Sequence, residues 1–185
     1  MASRKLVFKV CVVGDGGIGK STMVQRLITG LFISQKITIG TDLATWDNPI
    51  NDLDTARLQI WDFAGERRFR IFLPNYARGA VGCLLCYDIT RRTSFDNLEE
   101  WYNIVKSNAV NPVFILVGEK LDLADVRRSV EIEHAEEFKE KYRIDRFFET
   151  SSKSGVNNKK IFKTLTQLIL ERREKEIGRE QELIK

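Results

Sequence analysis

The chain has 185 residues, enough for one domain with a full core and too few for two comfortable ones. Its 43% hydrophobic and 30% charged residues are an ordinary globular composition, and a net charge of +4, scattered along the chain, is too mild to argue for nucleic acid. The longest apolar runs, near 80–87 and 113–117, are strand-length and far short of a membrane span, while the start at Met1-Ala2-Ser3-Arg4-Lys5 leaves no room for a leader, so a cytoplasmic setting is expected.

In chain order, residues 5–13 read as a buried strand and 20–29 as an amphipathic helix. Between them lies Gly14-Asp15-Gly16-Gly17-Ile18-Gly19-Lys20-Ser21, which fits G-x-x-x-x-G-K-[ST], the phosphate-binding loop. Glycines let the backbone turn tightly and aim successive N–H groups at a phosphate chain, and the helix N-terminus adds partial positive charge at the same spot. Lys20 is placed to reach the β- and γ-phosphates and Ser21 to ligate Mg²⁺, with Thr22 beside them at the helix start. The alternative is a Gly-rich strand-to-helix turn; the strand before and helix after favour the phosphate reading.

Residues 31–40 form a loop without clear period, in which Thr38 could offer a second hydroxyl to Mg²⁺ and an N–H to the γ-phosphate. Strands at 42–47 and 56–62 are expected to form a hairpin across a turn at Asp47-Asn48-Pro49. At the end of the second strand, Asp62 is placed to hold Mg²⁺ through water, Gly65 to let a backbone N–H approach the terminal phosphate, and Glu66 to touch the attacking water. Alternatively, Asp62 caps the next helix and Glu66 is a solvated charge.

A helix is expected over 67–77 and a strand over 80–87. Cys83 and Cys86 form a C-x-x-C, but on a strand positions i and i+3 face opposite ways, so core packing is expected rather than a metal or redox pair. A helix at 94–109 leads to a strand at 113–118 that ends in Glu119-Lys120-Leu121-Asp122. A carboxylate there can accept from N1–H and the 2-amino group of guanine, whereas adenine would leave it unpaired. The Lys120 stem can lie over a base.

A helix at 131–142 carries the lone His134, expected at the surface. A last strand at 146–150 leads into Ser151-Ser152-Lys153, where the Ser152 N–H could meet the guanine carbonyl. The final helix, 157–180, has an apolar stripe at Ile161, Phe162, Leu165, Leu168 and Ile169. Beyond Leu170 mixed charge suggests a segment that projects or frays.

The order β-α-β-β-α-β-α-β-α-β-α predicts an α/β fold: a six-stranded, mostly parallel sheet with one antiparallel edge strand and helices on both faces. Ligands of such sheets sit at the carboxyl ends of the strands, where every polar motif above falls. The divisions expected are a domain over 4–172 and a helical extension or frayed tail over 173–185.

GDGGIGKS, TIG, WDFAGE, EKLD and ETSSKSG occur in the order and spacing of the Ras-type small GTPases, and the resemblance runs from about Arg4 to Leu170. WDFAGERRFR, NYARGA and YDITRRTSFDNLEEW look closest to the Rab and Ras branches. The resemblance implies a phosphate-loop G domain that binds GTP or GDP with Mg²⁺ and hydrolyses GTP slowly. Lys20, Thr38, Gly65 and Glu66 would surround the terminal phosphate, and Ser21, Thr38 and Asp62 the metal. Segments 32–41 and 63–76 would be the switches that meet effector, exchange and activating proteins.

Phe32 looks like the aromatic that covers the base, and Leu43, Trp61 and Tyr76 like the hydrophobic trio that Rab relatives present to partners, unless Trp61 merely packs the strand end. Arg67, Arg68 and Arg70 are not expected to act as an arginine finger. A monomer is expected, with a role in signalling or vesicle trafficking. No cysteine follows Cys86, so no lipid anchor is expected in this chain, and membranes would be reached only through a missing tail or a recruiting partner.

Three departures stand out. Glu66 replaces the usual water-orienting Gln, so it could be a base, a neutral donor or a bystander; an interaction module that binds GTP without hydrolysing it is the alternative function. Glu119 replaces the Asn of N-K-x-D, and an ionised Glu cannot donate, so affinity is expected to fall while Asp122 keeps the guanine preference. The first switch is about one residue short and lacks the aromatic usually found just before its threonine.

Overall fold

The computed structural model describes residues 4–183. Strands β1 (Lys5–Val13), β2 (Thr41–Pro49), β3 (Thr55–Phe63), β4 (Gly82–Asp88), β5 (Val113–Glu119) and β6 (Arg146–Glu149) form one sheet in the order β2-β3-β1-β4-β5-β6. All neighbours pair in parallel except β2 with β3. The helices are α1 (Lys20–Thr29), α2 (Leu73–Ala77), α3 (Arg92–Asp96), α4 (Leu98–Asn108), α5 (Ala124–Arg127), α6 (Ile132–Tyr142) and α7 (Asn158–Leu183).

Every residue of β4 and β5 is buried, because a parallel strand covered on both faces has no solvent side to spend polar residues on. On one face Val10, Val12, Leu84 and Val117 pack against Met23 and Leu27 of α1 and against Ile161, Phe162, Leu165 and Ile169 of α7. The other face packs Val13, Leu85, Tyr87 and Leu116 against Leu98, Trp101 and Val105 of α4. Cys83 and Cys86 fall in these two opposite cores, and burial pushes both thiols up, so they cannot act as a pair.

The sheet order reverses at β1, whose two neighbours are reached by chains running to opposite sides. That is where an open α/β sheet leaves a crevice at its carboxyl edge, and the phosphate loop leaves β1 there.

Four local expectations are corrected. The hairpin turn is not at Asp47-Asn48-Pro49, which belong to β2; Pro49 ends an edge strand, where a missing N–H costs nothing. Asn51 makes the turn instead, its side-chain oxygen accepting from the N–H groups of Leu53 at 2.9 Å and Asp54 at 2.7 Å. The single helix expected at 67–77 is a 3₁₀ turn over Arg67–Phe72 followed by α2. Pro74 explains the break: it cannot donate to the Arg70 carbonyl, which accepts from the Leu73 N–H instead.

The helix expected at 94–109 is likewise α3 and α4, meeting at Asn97. His134, expected at the surface, is half-buried, its Nδ1 3.4 Å from Arg92 Nη1.

Past Leu170 the chain stays helical to Leu183. Arg172 fixes this stretch to the body, donating to Asp145 Oδ1 at 2.5 Å and to the Pro112 carbonyl at 2.7 Å. The last two residues of the 173–185 segment, and residues 1–3 on which the leader reading drew, lie outside the described residues. No described helix is long and apolar enough to cross a membrane.

Candidate functional site

A cavity of about 510 Å³ opens along the carboxyl edge of the sheet. Gly16, Gly17, Gly19, Lys20, Ser21 and Thr22 form its floor, with Thr38, Gly65 and Glu66 at one end and Glu119, Lys120, Asp122, Ser152 and Lys153 at the other. Phe32, half exposed, stands on its rim.

Gly14, Asp15 and Ile18 do not line it; they shape the loop from behind. Gly14 has φ 139°, and a Cβ there would lie 2.2 Å from the Cys86 carbonyl, so only glycine lets the loop leave β1 this way. Ile18 is fully buried in the core. A Cβ on Gly65 would lie 2.0 Å from the Gly16 nitrogen, so the segment after β3 rests directly on the phosphate loop.

Lys20 is 6% exposed, and its ammonium donates to the carbonyls of Gly14 and Asp15, at 2.8 Å each. Burial lowers its pKa, with nearby Asp62 opposing. An ammonium has three N–H donors, so one remains for a ligand in the cavity.

Ser21, Thr38 and Asp62 meet, although they come from α1, the loop before β2 and the end of β3. Ser21 Oγ lies 2.8 Å from Thr38 Oγ1 and donates to Asp62 Oδ2. Burial pushes the Asp62 carboxyl up to about 6, the Ser21 bond opposing. Asp62 Oδ1 is buried without a partner. Two hydroxyls and a carboxylate with a spare buried oxygen fit a hard dication such as Mg²⁺. Among the described residues no three His, Cys, Asp or Glu side chains could hold a metal alone, so ligand oxygens or water would complete the sphere.

At the other end, Asp122 Oδ1 accepts from Ser151 Oγ at 2.6 Å, which fixes the carboxylate at the cavity mouth. Lys120 has φ 70°, and its ammonium bonds Asp88 Oδ2 at 2.6 Å and the Gly17 carbonyl at 3.3 Å, so the stem lies along the edge of the phosphate loop. The exposed Lys153 stands beside them at the cavity wall.

Glu119 is the unexpected group. It is 1% exposed, and burial pushes its pKa up to about 8, against the Ser152 hydroxyl and the backbone N–H groups of Lys120 and Ser152. Burial thus favours the neutral carboxylic acid, which would have an O–H to donate, over the ionised acceptor expected from the sequence. It lies against the phosphate loop, 3.4 Å from where a Gly19 Cβ would be.

Glu66 faces the cavity with its carboxylate held by Arg68 Nε at 2.8 Å. Arg70, 8% exposed, turns away from the cavity. It donates to Asp15 Oδ1 at 3.0 Å, pairs with Glu100 and stacks 4.3 Å over the Trp101 ring. Asp15 accepts further from Trp101 Nε1 at 2.9 Å and Asn97 Nδ2 at 2.7 Å. Arg91 donates to the Gly16 carbonyl at 2.7 Å. The residues missed in the sequence are thus Asn97, Trp101 and Arg91, which lie within the stretch Tyr87–Trp101 that carries the resemblance but were given no role there.

Leu43 and Trp61 are register partners across β2 and β3, and the Trp61 and Tyr76 rings lie 5.5 Å apart, so the three apolar groups form one patch beside the cavity. Leu43 is 60% exposed and Trp61 half-buried.

Fold and site together define a phosphate-loop nucleotide-binding protein of the doubly covered parallel-sheet class. A family model described as "Ras family" matches residues 9–171. Ras-related protein Rab-13 of Rattus norvegicus is 40% identical over 166 residues, covering 89% of this chain and 80% of that protein. Ras-related protein RABA2a of Arabidopsis thaliana is 38% identical over 161 residues (86% and 73%), and GTP-binding protein ypt3 of Schizosaccharomyces pombe 40% over 161 residues (86% and 74%). The chain belongs to the Ras family of small GTPases and is Rab-like: a GTP-binding switch protein.

Proposed function

We propose that this chain cycles between GTP and GDP with Mg²⁺, hydrolyses GTP slowly, and presents residues 32–41 and 63–76 to effector, exchange and activating proteins. One observation carries the reading: Ser21, Thr38 and Asp62 converge beside the Lys20 ammonium in a cavity whose far end holds the Asp122 carboxylate. Lys20 with the loop N–H groups binds the β- and γ-phosphates, and Gly65 brings its own N–H to the terminal one. Ser21, Thr38 and Asp62 hold Mg²⁺, which when bound neutralises charge on the phosphate oxygens. Asp122 accepts from N1–H and the 2-amino group of guanine, the Ser152 N–H donates to the carbonyl, and Lys120 and Phe32 cover the base. The protein works as a monomer in the cytoplasm and meets membranes through a recruiting partner or a lipidated segment.

A second reading, a GTP-binding module without hydrolysis, is favoured by the Glu66 carboxylate being occupied by Arg68 rather than free for water. Single-turnover hydrolysis with Mg²⁺ separates the two: decay of bound GTP supports the first, and none over hours the second.

The base assignment is tested by competition. The wild type should take GTP and GDP over ATP, and Asp122→Asn should cost about 1.5–3 kcal/mol of guanine affinity while gaining xanthine, whose O2 accepts from an amide. Equal competition by ATP and GTP in the wild type would refute it.

A further inference from the structure

Behind the phosphate loop, on the other side of the wall formed by Gly16 and Gly65, is a second hollow of about 260 Å³. Arg67, Arg70 and Arg91 line it, with Thr93 and Asn97 beside them. Asp15 is the acidic group in the lining, and both its oxygens are in use: Oδ1 by Arg70 and Trp101, Oδ2 by Asn97. Glu100 neutralises part of Arg70 from outside.

Positive charge and unused donors therefore remain. Arg91 has a neutral carbonyl, that of Gly16, as its hydrogen-bond partner, and its Nε is buried without a partner. The Arg70 Nε is also buried without a partner, on a side chain more than nine-tenths buried. Arg67 has no partner among the described residues. Buried N–H groups left unpaired carry a desolvation penalty, and native proteins relieve it with an acceptor. Three guanidinium groups around one hollow are the arrangement that planar forks use to grip an oxyanion.

We propose that this hollow binds a free inorganic oxyanion of the size and charge of phosphate. The volume admits one tetrahedral ion with several waters, each water filling about 30 Å³. The Arg91 guanidinium donates from the inner wall, Arg70 adds positive charge there, Arg67 closes from the solvent side, and the Thr93 hydroxyl adds a neutral donor. Because Gly16 and Gly65 also line the nucleotide cavity, the ion lies one backbone layer from the terminal phosphate position. The site itself does not depend on the nucleotide reading, but its test uses that reading to keep the other cavity filled.

The full chain is loaded with a non-hydrolysable GTP analogue and Mg²⁺, and the bound nucleotide is identified by chromatography after denaturation. Inorganic phosphate is then titrated at constant ionic strength and followed by ³¹P line broadening. Saturable binding is expected, weakened about tenfold in Arg91→Ala, as for loss of a charge-assisted hydrogen bond. Arg67→Ala should weaken it about two- to fivefold, as for an exposed charge, with the analogue retained. Arg67 lies at the surface, so that variant keeps the test valid if Arg91→Ala does not fold.

Absence of saturable binding in the wild type, binding unchanged in Arg67→Ala and in folded Arg91→Ala, or preference for acetate over phosphate would each overturn the proposal. A chain that accepts no analogue counts against the nucleotide reading alone. The same phosphate titration, compared between wild type and the two variants as purified, then decides this one.

Discussion

The two segments that close over the phosphate loop are held in opposite ways. In the first, residues 31–40, Ile37 and Ile39 are 78% and 75% exposed, and the side-chain tie to the phosphate loop is the Thr38 hydroxyl on Ser21, with one further bond from the Ala64 N–H to the Gly40 carbonyl. In the second, Gly65 rests on Gly16, and Arg70 is buried between Asp15, Glu100 and Trp101. A segment with few apolar contacts opens at low cost, whereas one attached through a buried charge pair moves only by exposing it. The first segment is therefore positioned by what occupies the cavity, and the second also by α4 on its far side.

Removing Arg70 should break that contrast most severely. Arg70→Ala leaves Asp15 buried without its cation and should cost about 3–5 kcal/mol of folding stability, read as a shift in the urea midpoint. Thr38→Ala should stay within about 0.5 kcal/mol in the same measurement, yet speed the Mg²⁺-dependent release of nucleotide. Equal losses from the two substitutions would mean that the segments are not held differently.

Glu119 stands outside both segments and serves as the control. Its folded pKa, raised from 4.5 to about 8 by burial, makes its contribution to stability complete below about pH 4.5 and lost as pH rises through about 8. Stability should fall between about pH 4.5 and about pH 8 and level off above, nucleotide retention should fall as pH passes about 8, and Glu119→Gln, which keeps a donor without a charge, should flatten the slope and recover about 1–3 kcal/mol at the alkaline end. The contrast between Arg70→Ala and Thr38→Ala should persist across that range. A slope unchanged in Glu119→Gln would assign it to other groups.

What was legible in the sequence follows from the range of the interactions. The strands were, because β4 and β5 are unbroken apolar runs, and so were the phosphate loop, Asp62 and Asp122, because each lies at or just after the end of a strand; Phe32 and Thr38, in the loop before β2, have no such marker. Turn chemistry misled at Pro49, which tolerates an edge strand, while Asn51 carried the real signal; Pro74 carries the signal for the break after Phe72, which a single helix over 67–77 ignores. The clamp on Asp15 joins residues 55, 82 and 86 positions away, and no periodicity links such partners. The burial of Glu119, which raises its pKa, was equally hidden, since a one-letter code does not carry burial.

The apolar patch straddles the contrast: Leu43 follows the first segment, and Tyr76 ends the second. If partners read both segments at once, Tyr76→Ala should weaken a GTP-dependent partner by about 1–2 kcal/mol in a pull-down titration, without changing nucleotide affinity. Trp61→Ala should do the same, unless its half-buried ring is chiefly packing; loss of nucleotide binding along with the partner would show that. A partner that ignores both substitutions binds another face.

The smallest effect should come from the pair at the start of the second segment, and it bears on chemistry rather than on attachment. Glu66 and Arg68 are bonded at 2.8 Å with both side chains well exposed, so breaking the pair should change stability by less than about 1 kcal/mol. Its consequence lies in what the carboxylate is then free to do. With Arg68 in place, one Glu66 oxygen is committed, and a carboxylate offers no N–H toward the phosphoryl oxygens. Arg68→Ala should therefore leave the folding midpoint where it is and raise the single-turnover rate of GTP hydrolysis if Glu66 acts on water. Glu66→Gln should raise it further, because an amide both accepts from water and donates toward phosphate. Glu66→Ala distinguishes the remaining cases: a rate equal to wild type, with no response in Arg68→Ala, makes the pair a surface contact, and the second segment is then held by Arg70 without taking part in hydrolysis.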